Sequence, residues 1–136
     1  MRAVKSNEKG GAAVEFALVL PMLFLVLFAI IEYGWLLTNQ IVLTNAVSEG
    51  ARAGIKAGEW NDDAEICDYA EAAVKSAFWP AALNEADVKA EIKSDPNGFR
   101  RMEVEVANMT YKPITGYIPS SLMPDHLAAK AVMIFP

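Results

Sequence analysis

Phe16 to Ile31 reads FALVLPMLFLVLFAII, sixteen residues without a charge, and this run constrains the chain more than any other feature. Across the wider stretch Gly11–Leu37 only Glu15 and Glu32 are charged. At 1.5 Å per residue a helix over Phe16–Leu37 is about 33 Å long, close to the hydrocarbon thickness of a bilayer. A core helix of a small domain is apolar along one stripe rather than on every face, so the segment reads as a transmembrane helix. A cleaved secretory signal has a shorter apolar region, about 7–15 residues, followed by a small-x-small site. Here Glu32-Tyr33-Gly34-Trp35-Leu36-Leu37 comes next, which offers no such site.

The flanks orient the helix. Arg2, Lys5 and Lys9 against Glu8 give a surplus of +2 before the run, and basic residues favour the cytoplasmic side. The remainder is then exported. Residues 11–136 hold 9 Lys+Arg and 16 Asp+Glu, a balance of −7 that keeps an exported domain soluble and away from anionic headgroups. With 136 residues, a net charge of −5 and a pI near 4.8, the chain has room for one modest domain and no basic field for a polyphosphate backbone. Nucleic acid is therefore not an expected partner. The lone Cys67 makes no internal disulfide.

The chain divides into four segments: a basic leader over 1–10, the transmembrane helix over 11–37, a helical extension over 38–57, and an exported α+β domain over 58–136. No proline interrupts Tyr33–Ala57, so one helix runs on out of the membrane. Leu36, Leu43, Val47, Gly50 and Gly54 fall on one stripe of it. Ala46, Gly50, Gly54 and Gly58 recur every fourth residue, which reads either as a helix-packing groove for another backbone or as fraying, since an interior glycine costs about 1 kcal/mol relative to alanine. After the polar break Glu59-Trp60-Asn61-Asp62-Asp63, Asn61 or Asp62 caps a second helix over Ala64–Trp79, and Pro80 ends it. Its apolar stripe is Ile66, Tyr69, Ala70, Ala73, Val74, Ala77 and Phe78.

Beyond Asn84 the period shortens to two. Val88, Ala90 and Ile92 alternate with charged residues, Asp95-Pro96-Asn97-Gly98 supplies a turn, and Met102, Val104 and Val106 alternate with Glu103 and Glu105. A proline-punctuated loop with Pro113, Pro119 and Pro124 leads to a last strand over Leu127–Phe135. The expected fold class is α+β: a long N-terminal helix continuing into a small domain with a second helix and a three-stranded antiparallel sheet, four-stranded if the proline loop contributes. So few residues cannot bury a generous core alone, and the sheet should therefore pack on the second helix and the outer half of the first.

Catalytic chemistry has little to build on. His126 and Cys67 stand in no nucleophile–base or metal-ligand spacing, and the acids Asp62, Asp63, Glu65 and Asp68 lack the alternation and central glycine of a calcium loop. No enzyme activity, metal or cofactor is expected. Glu15 is different, because a carboxylate inside an apolar helix is costly without a partner or access to the interface. A cut after Gly10 would create an amine on Gly11, with Glu15 the fifth residue of the new chain. A neighbouring subunit shifted by one helical turn would then set its amine against this carboxylate and fix the register. The alternative is a Glu15 that snorkels to the headgroups.

The combination of Gly10, four residues and Glu15-Phe16, then ALVLP and the apolar run, Ile31-Glu32-Tyr33-Gly34, and Thr44-Asn45-Ala46-Val47-Ser48-Glu49-Gly50-Ala51-Arg52-Ala53-Gly54 closely resembles the TadE-like family. These are minor pilins, or pseudopilins, of the tight-adherence (Tad/Flp) branch of type IV pilus machinery. Met102–Val106, Tyr111-Lys112-Pro113-Ile114 and Leu127–Met133 fit the same pattern. The resemblance implies a precursor cut by prepilin peptidase between Gly10 and Gly11 and held in the bacterial inner membrane, N-terminus cytoplasmic and C-terminal domain periplasmic. It implies a part in assembling a Tad/Flp pilus for surface adhesion and placement at the cell surface after assembly, with Glu15 and Phe16 as assembly residues. Its partners would be other pilins and pseudopilins, the peptidase, an inner-membrane assembly platform and lipid. Phe16 stands where the major Flp pilin has Tyr, and the exported domain is larger than a Flp pilin's, which favours a minor role. Gly11 allows a cut one residue later, which would leave Glu15 fourth. The rival expectation is an uncleaved bitopic anchor of a Tad-type assembly platform.

Overall fold

The structure is a computed structural model that describes residues 8–58, 62–79, 83 and 87–136. The leader residues Arg2 and Lys5, the break at Glu59-Trp60-Asn61, and Pro80 lie outside the described residues. In chain order the elements are α1 (Glu8–Ala57), α2 (Asp63–Ala77), β1 (Val88–Ser94), β2 (Arg100–Thr110), a short 3-10 turn (Ser120–Leu122) and β3 (His126–Ile134). The expected α+β class, with one long helix, a second helix and a three-stranded antiparallel sheet, is what forms. The proline loop takes the 3-10 turn instead of adding a strand among the described residues.

α1 is a single helix that passes through both Gly10–Gly11 and Pro21. Its two halves have different surroundings. From Val14 to Ile31 the side chains are largely exposed, Phe16, Leu18, Met22, Leu25 and Ile30 among them, and the helix is long and apolar enough to cross a membrane. From Glu32 onward one face is covered. Leu43, Ala46, Val47 and Ala51 are buried, and Trp35, Leu36 and Val42 pack on the same core. Polar residues on this half bond back one turn: Thr38 Oγ1 to the Gly34 carbonyl, Thr44 Oγ1 to Gln40, Ser48 Oγ to Thr44, and the buried Asn39 Nδ2 to Trp35 at 2.7 Å. These four side chains thus carry their own partners on the helix.

α2 starts one residue earlier than its periodicity predicts and ends two residues before Trp79. Asp62 is its N-cap residue by backbone geometry. Trp79 precedes Pro80, which disfavours helical backbone there, and Phe78 turns to extended backbone and buries its ring. Ile66, Ala70 and Val74 form the buried face against α1.

The sheet order is β1-β2-β3, antiparallel throughout. Gly98, at φ +83°, closes the β1–β2 turn, with its amide donating to the Asp95 carbonyl at 2.8 Å. Both helices pack on one face of the sheet, α1 beneath β2 and β3 and α2 beneath β1. Val88, Met102, Val104, Val106 and Leu127 point into that layer. The other face is a charged ladder. Glu91 sits directly opposite Glu103, a like-charge pairing made tolerable because Lys93 and Lys130 both pair with Glu103. These two ammonium groups, Lys130 first, hold the Glu103 carboxyl down at about 2. Glu71 of α2 accepts the Ala90 amide, at 3.3 Å, on the outer edge of β1.

β2 departs from regular pairing near its end. Val106 pairs with Ala129 and Met109 with Leu127, so Ala107 and Asn108 together oppose Ala128 in a bulge. Strict alternation from Val106 would send Asn108 and Thr110 inward. The extra residue instead buries Met109 and, just past the strand, Tyr111.

Candidate functional site

Two places on α1 carry charge where apolar surroundings make charge expensive. The first is the N-terminal end. Gly10 and Gly11 are helical, and a side chain at Gly11 would meet no heavy atom within 4 Å. Glu15 and Phe16 lie on the exposed surface of the same helix, and among the described residues Glu15 has no hydrogen bond or ion pair. Whatever partner this carboxylate has must come from outside the described chain: water, lipid headgroups or another molecule.

The second is Glu32, where the apolar run ends. Its side chain is fully buried and holds four donors. Oε1 accepts from the Tyr111 hydroxyl at 2.9 Å and the Ile114 amide at 2.8 Å. Oε2 accepts from the Thr115 amide at 2.9 Å and from the Thr115 hydroxyl. An ionised carboxylate offers about four lone-pair sites, and here two donors meet each oxygen. The group is saturated, so it has no free site from which to take a substrate proton. It acts as a clamp that ties the loop after β2 to the helix.

Several elements converge on that clamp. The bulge at Ala107-Asn108 turns Tyr111 inward, and the Tyr111 hydroxyl is pushed up to about 12 by burial and by its hydrogen bond to Glu32. Around it, Trp35 Nε1 donates to the Lys112 carbonyl at 3.3 Å, Tyr33 donates to the Leu122 carbonyl at 3.3 Å, and Gln40 Nε2 reaches the Ala128 carbonyl at 2.9 Å. The Tyr117 ring stacks on Phe28 with centroids 4.6 Å apart. The domain thus reaches back along α1 to Phe28, inside the span 11–37 expected for the membrane. In the sequence Glu32 stands out only as part of the Ile31–Gly34 motif, with no task of its own. The usable signal was chemical: a carboxylate at the end of an apolar run requires donors, and the backbone and hydroxyls of the Tyr111–Thr115 segment can supply them.

Ala46, Gly50 and Gly54 lie together on the buried face of α1. At Gly50 the backbone that approaches is that of α2 in the same chain, whereas Gly54 faces the Met102 and Ala70 side chains. A methyl group at Gly50 would sit 2.3 Å from Val74 Cγ2 and 2.8 Å from the Ala70 carbonyl oxygen, and one at Gly54 would meet Met102 and Ala70. Cys67 is half-buried on α2, and burial, reinforced by Glu71, Asp63 and Asp68, pushes its thiol up. His126 is exposed at the start of β3. Among the described residues no cluster of three or more His, Cys, Asp or Glu is arranged to hold a metal.

Fold and site together define a small α+β domain built onto the outer half of a helix whose inner half is of membrane-spanning length and composition. Residues 10–52 match the model of the family described as TadE-like protein, so that stretch is similar to TadE-like proteins. The match bears out the TadE-like resemblance for the motifs from Gly10 to Arg52, does not extend to Met102–Met133, and suggests involvement in Tad pilus systems. No curated protein and no solved structure matches the chain.

Proposed function

We propose that the protein is a minor pilin, or pseudopilin, of a Tad/Flp pilus. It is processed by prepilin peptidase between Gly10 and Gly11, has its N-terminus cytoplasmic and its α+β domain periplasmic in the bacterial inner membrane, and acts in pilus assembly for surface adhesion without catalysing a reaction. Lys9 and the leader basic residues set that orientation by their charge. Its helix packs among those of other pilins as subunits leave the bilayer, and the assembly platform is a further contact.

The observation that carries this reading is an exposed Glu15 without an internal partner among the described residues, four residues beyond Gly11, at the start of a lipid-length apolar helix in a TadE-like segment. An unpaired carboxylate in a dry setting is strongly unfavourable. Processing frees an ammonium group that an adjacent subunit, one turn displaced, offers to it. Pro21 removes a backbone hydrogen bond from the same stretch, and transmembrane helices accommodate this.

The test is mass spectrometry of the mature N-terminus from cells with and without the peptidase. A chain beginning at Gly11, seen only when the peptidase is present, is the expected result. An intact leader in both strains replaces this reading with the uncleaved anchor of an assembly platform. Piliation should also fall with Glu15→Ala and stay normal with His126→Ala; the reverse pattern would favour an enzymatic role.

A further inference from the structure

The loop between β2 and β3 is unlike the rest of the domain surface. Residues 113–123, PITGYIPSSLM, carry no charge, whereas the outer face of the sheet is a ladder of Lys and Glu. Ile114, Tyr117 and Leu122 are 58%, 71% and 63% exposed. These side chains are held outward by a fixed backbone: Glu32 takes the Ile114 and Thr115 amides, Tyr33 bonds the Leu122 carbonyl, and Tyr117 stacks on Phe28. Phe28 lies one helical turn, about 6 Å, on the membrane side of Glu32. The exposed apolar surface of the loop is therefore continuous with the exposed apolar surface of α1.

We propose that this loop is a second membrane contact, a foot resting in the interfacial layer of the leaflet from which α1 emerges, with Ile114, Tyr117 and Leu122 inserted among headgroups and upper acyl chains. Helix length supports this. Gly11–Ile31 at 1.5 Å per residue is about 31 Å, which fills a hydrocarbon core of about 30 Å without Glu32–Leu37. Were the outer boundary at Leu37, the loop beside Phe28 would sit about 14 Å deep, where irregular backbone exposed to lipid has no partners. With the boundary at Glu32 the same loop runs from headgroup level at Ile114 and Thr115 to only about 6 Å deep where Tyr117 meets Phe28. Tyr33, Trp35 and Tyr117 then form an aromatic belt there. The clamp satisfies two loop amides that would otherwise face the apolar layer. Because the foot is uncharged, its seat is hydrophobic and compatible with the net negative domain above it. Lipid, rather than a second copy of the chain, is the occupant favoured by continuity with the lipid-facing helix.

The inference rests on α1 crossing a membrane and on neither processing nor piliation. The test uses the full chain with Cys67→Ser and one added cysteine, at Tyr117→Cys, Leu122→Cys, Val132→Cys or Leu23→Cys, each labelled with an environment-sensitive fluorophore. All four sites are exposed, so the labels leave the core intact. In phosphatidylcholine vesicles, quenching is compared for nitroxide lipids labelled near the headgroup, nitroxide lipids labelled deep in the acyl chain, and aqueous iodide. Labels at 117 and 122 are expected to lose emission to the shallow nitroxide and to resist iodide. The label at 132 should respond to iodide alone, and the label at 23 to the deep nitroxide. Labels at 117 and 122 that behave like 132 overturn the foot. Shielding from iodide without lipid quenching, growing with the protein-to-lipid ratio, assigns the loop to a second copy and also overturns it. A label at 23 that no nitroxide quenches removes the membrane span and the foot with it.

Discussion

At the residue scale, the two carboxylates of the apolar run have opposite fates for one reason, the supply of donors. Glu32 meets Tyr111, Ile114 and Thr115 within its own chain, and Glu15 meets no one among the described residues. Glu32→Ala leaves a buried hydroxyl and two amides without acceptors, so a loss of about 1–3 kcal/mol is expected. Its signature is accelerated hydrogen exchange at the Ile114 and Thr115 amides, with Glu32→Gln intermediate because one accepting oxygen remains. Unchanged exchange in both variants would show that the clamp does not hold the loop. On the opposite face of the sheet, Glu103 contributes through charge. Its carboxyl is lowered from 4.5 to about 2 by Lys130 and Lys93. A depressed folded-state value means the stabilisation is complete above the unfolded value and disappears as pH falls through the folded one. The melting temperature of the native chain should therefore exceed that of Glu103→Gln near neutral pH. The gap should narrow from about pH 4.5 downward and close near pH 2.

At the element scale, α1 and α2 approach through glycine. Gly50 lets the α2 backbone close to van der Waals distance, and a methyl there would lie 2.8 Å from the Ala70 carbonyl oxygen, which cannot move without moving the helix. Gly50→Ala gains about 1 kcal/mol of helix propensity, but forcing apart a packed pair typically costs about 1–3 kcal/mol, and a backbone clash falls at the upper end. Net destabilisation is expected by thermal melting. Gly34→Ala, on the same helix with nothing within 4 Å, should instead be neutral or stabilising. If both substitutions stabilise, the two helices do not pack as closely as described. The four-residue repeat left close approach and fraying both open, and the structure shows close approach at Gly50. The repeat did not announce that the approaching helix belongs to the same chain.

At the scale of the whole molecule, the domain does not begin where the apolar character ends. Its core takes in Leu36, Trp35 and the Glu32 clamp, all within the stretch that composition assigns to the membrane. A chain comprising Phe28–Pro136 should therefore melt cooperatively, while Thr38–Pro136, which discards the clamp and the Trp35–Leu36 packing, should melt about 10 °C lower or lose its transition, since 1 kcal/mol moves a domain of this size by about 4–8 °C. Equal melting temperatures would place the boundary at Leu37 after all. The same overlap explains how a small α+β unit gains a core it could not build from residues 58–136 alone: the outer half of α1 joins α2 in the helical layer beneath the sheet.

Much of this architecture is legible in local pattern. A charge-free run, a 3.6-residue stripe, alternating strands and an Asp95-Pro96-Asn97-Gly98 turn each report on backbone and burial within a few residues, and every such element forms. The Gly10 to Phe16 motif and the TadE-like resemblance are of the same local kind. What only the tertiary structure decided are relations across 70 residues or more: that a bulge at Ala107-Asn108 turns Tyr111 toward Glu32, and that the uncharged loop folds back alongside Phe28. Periodicity records which face a residue occupies, not which distant donor meets a buried acceptor. That pairing is fixed only when the sheet has closed over the helix.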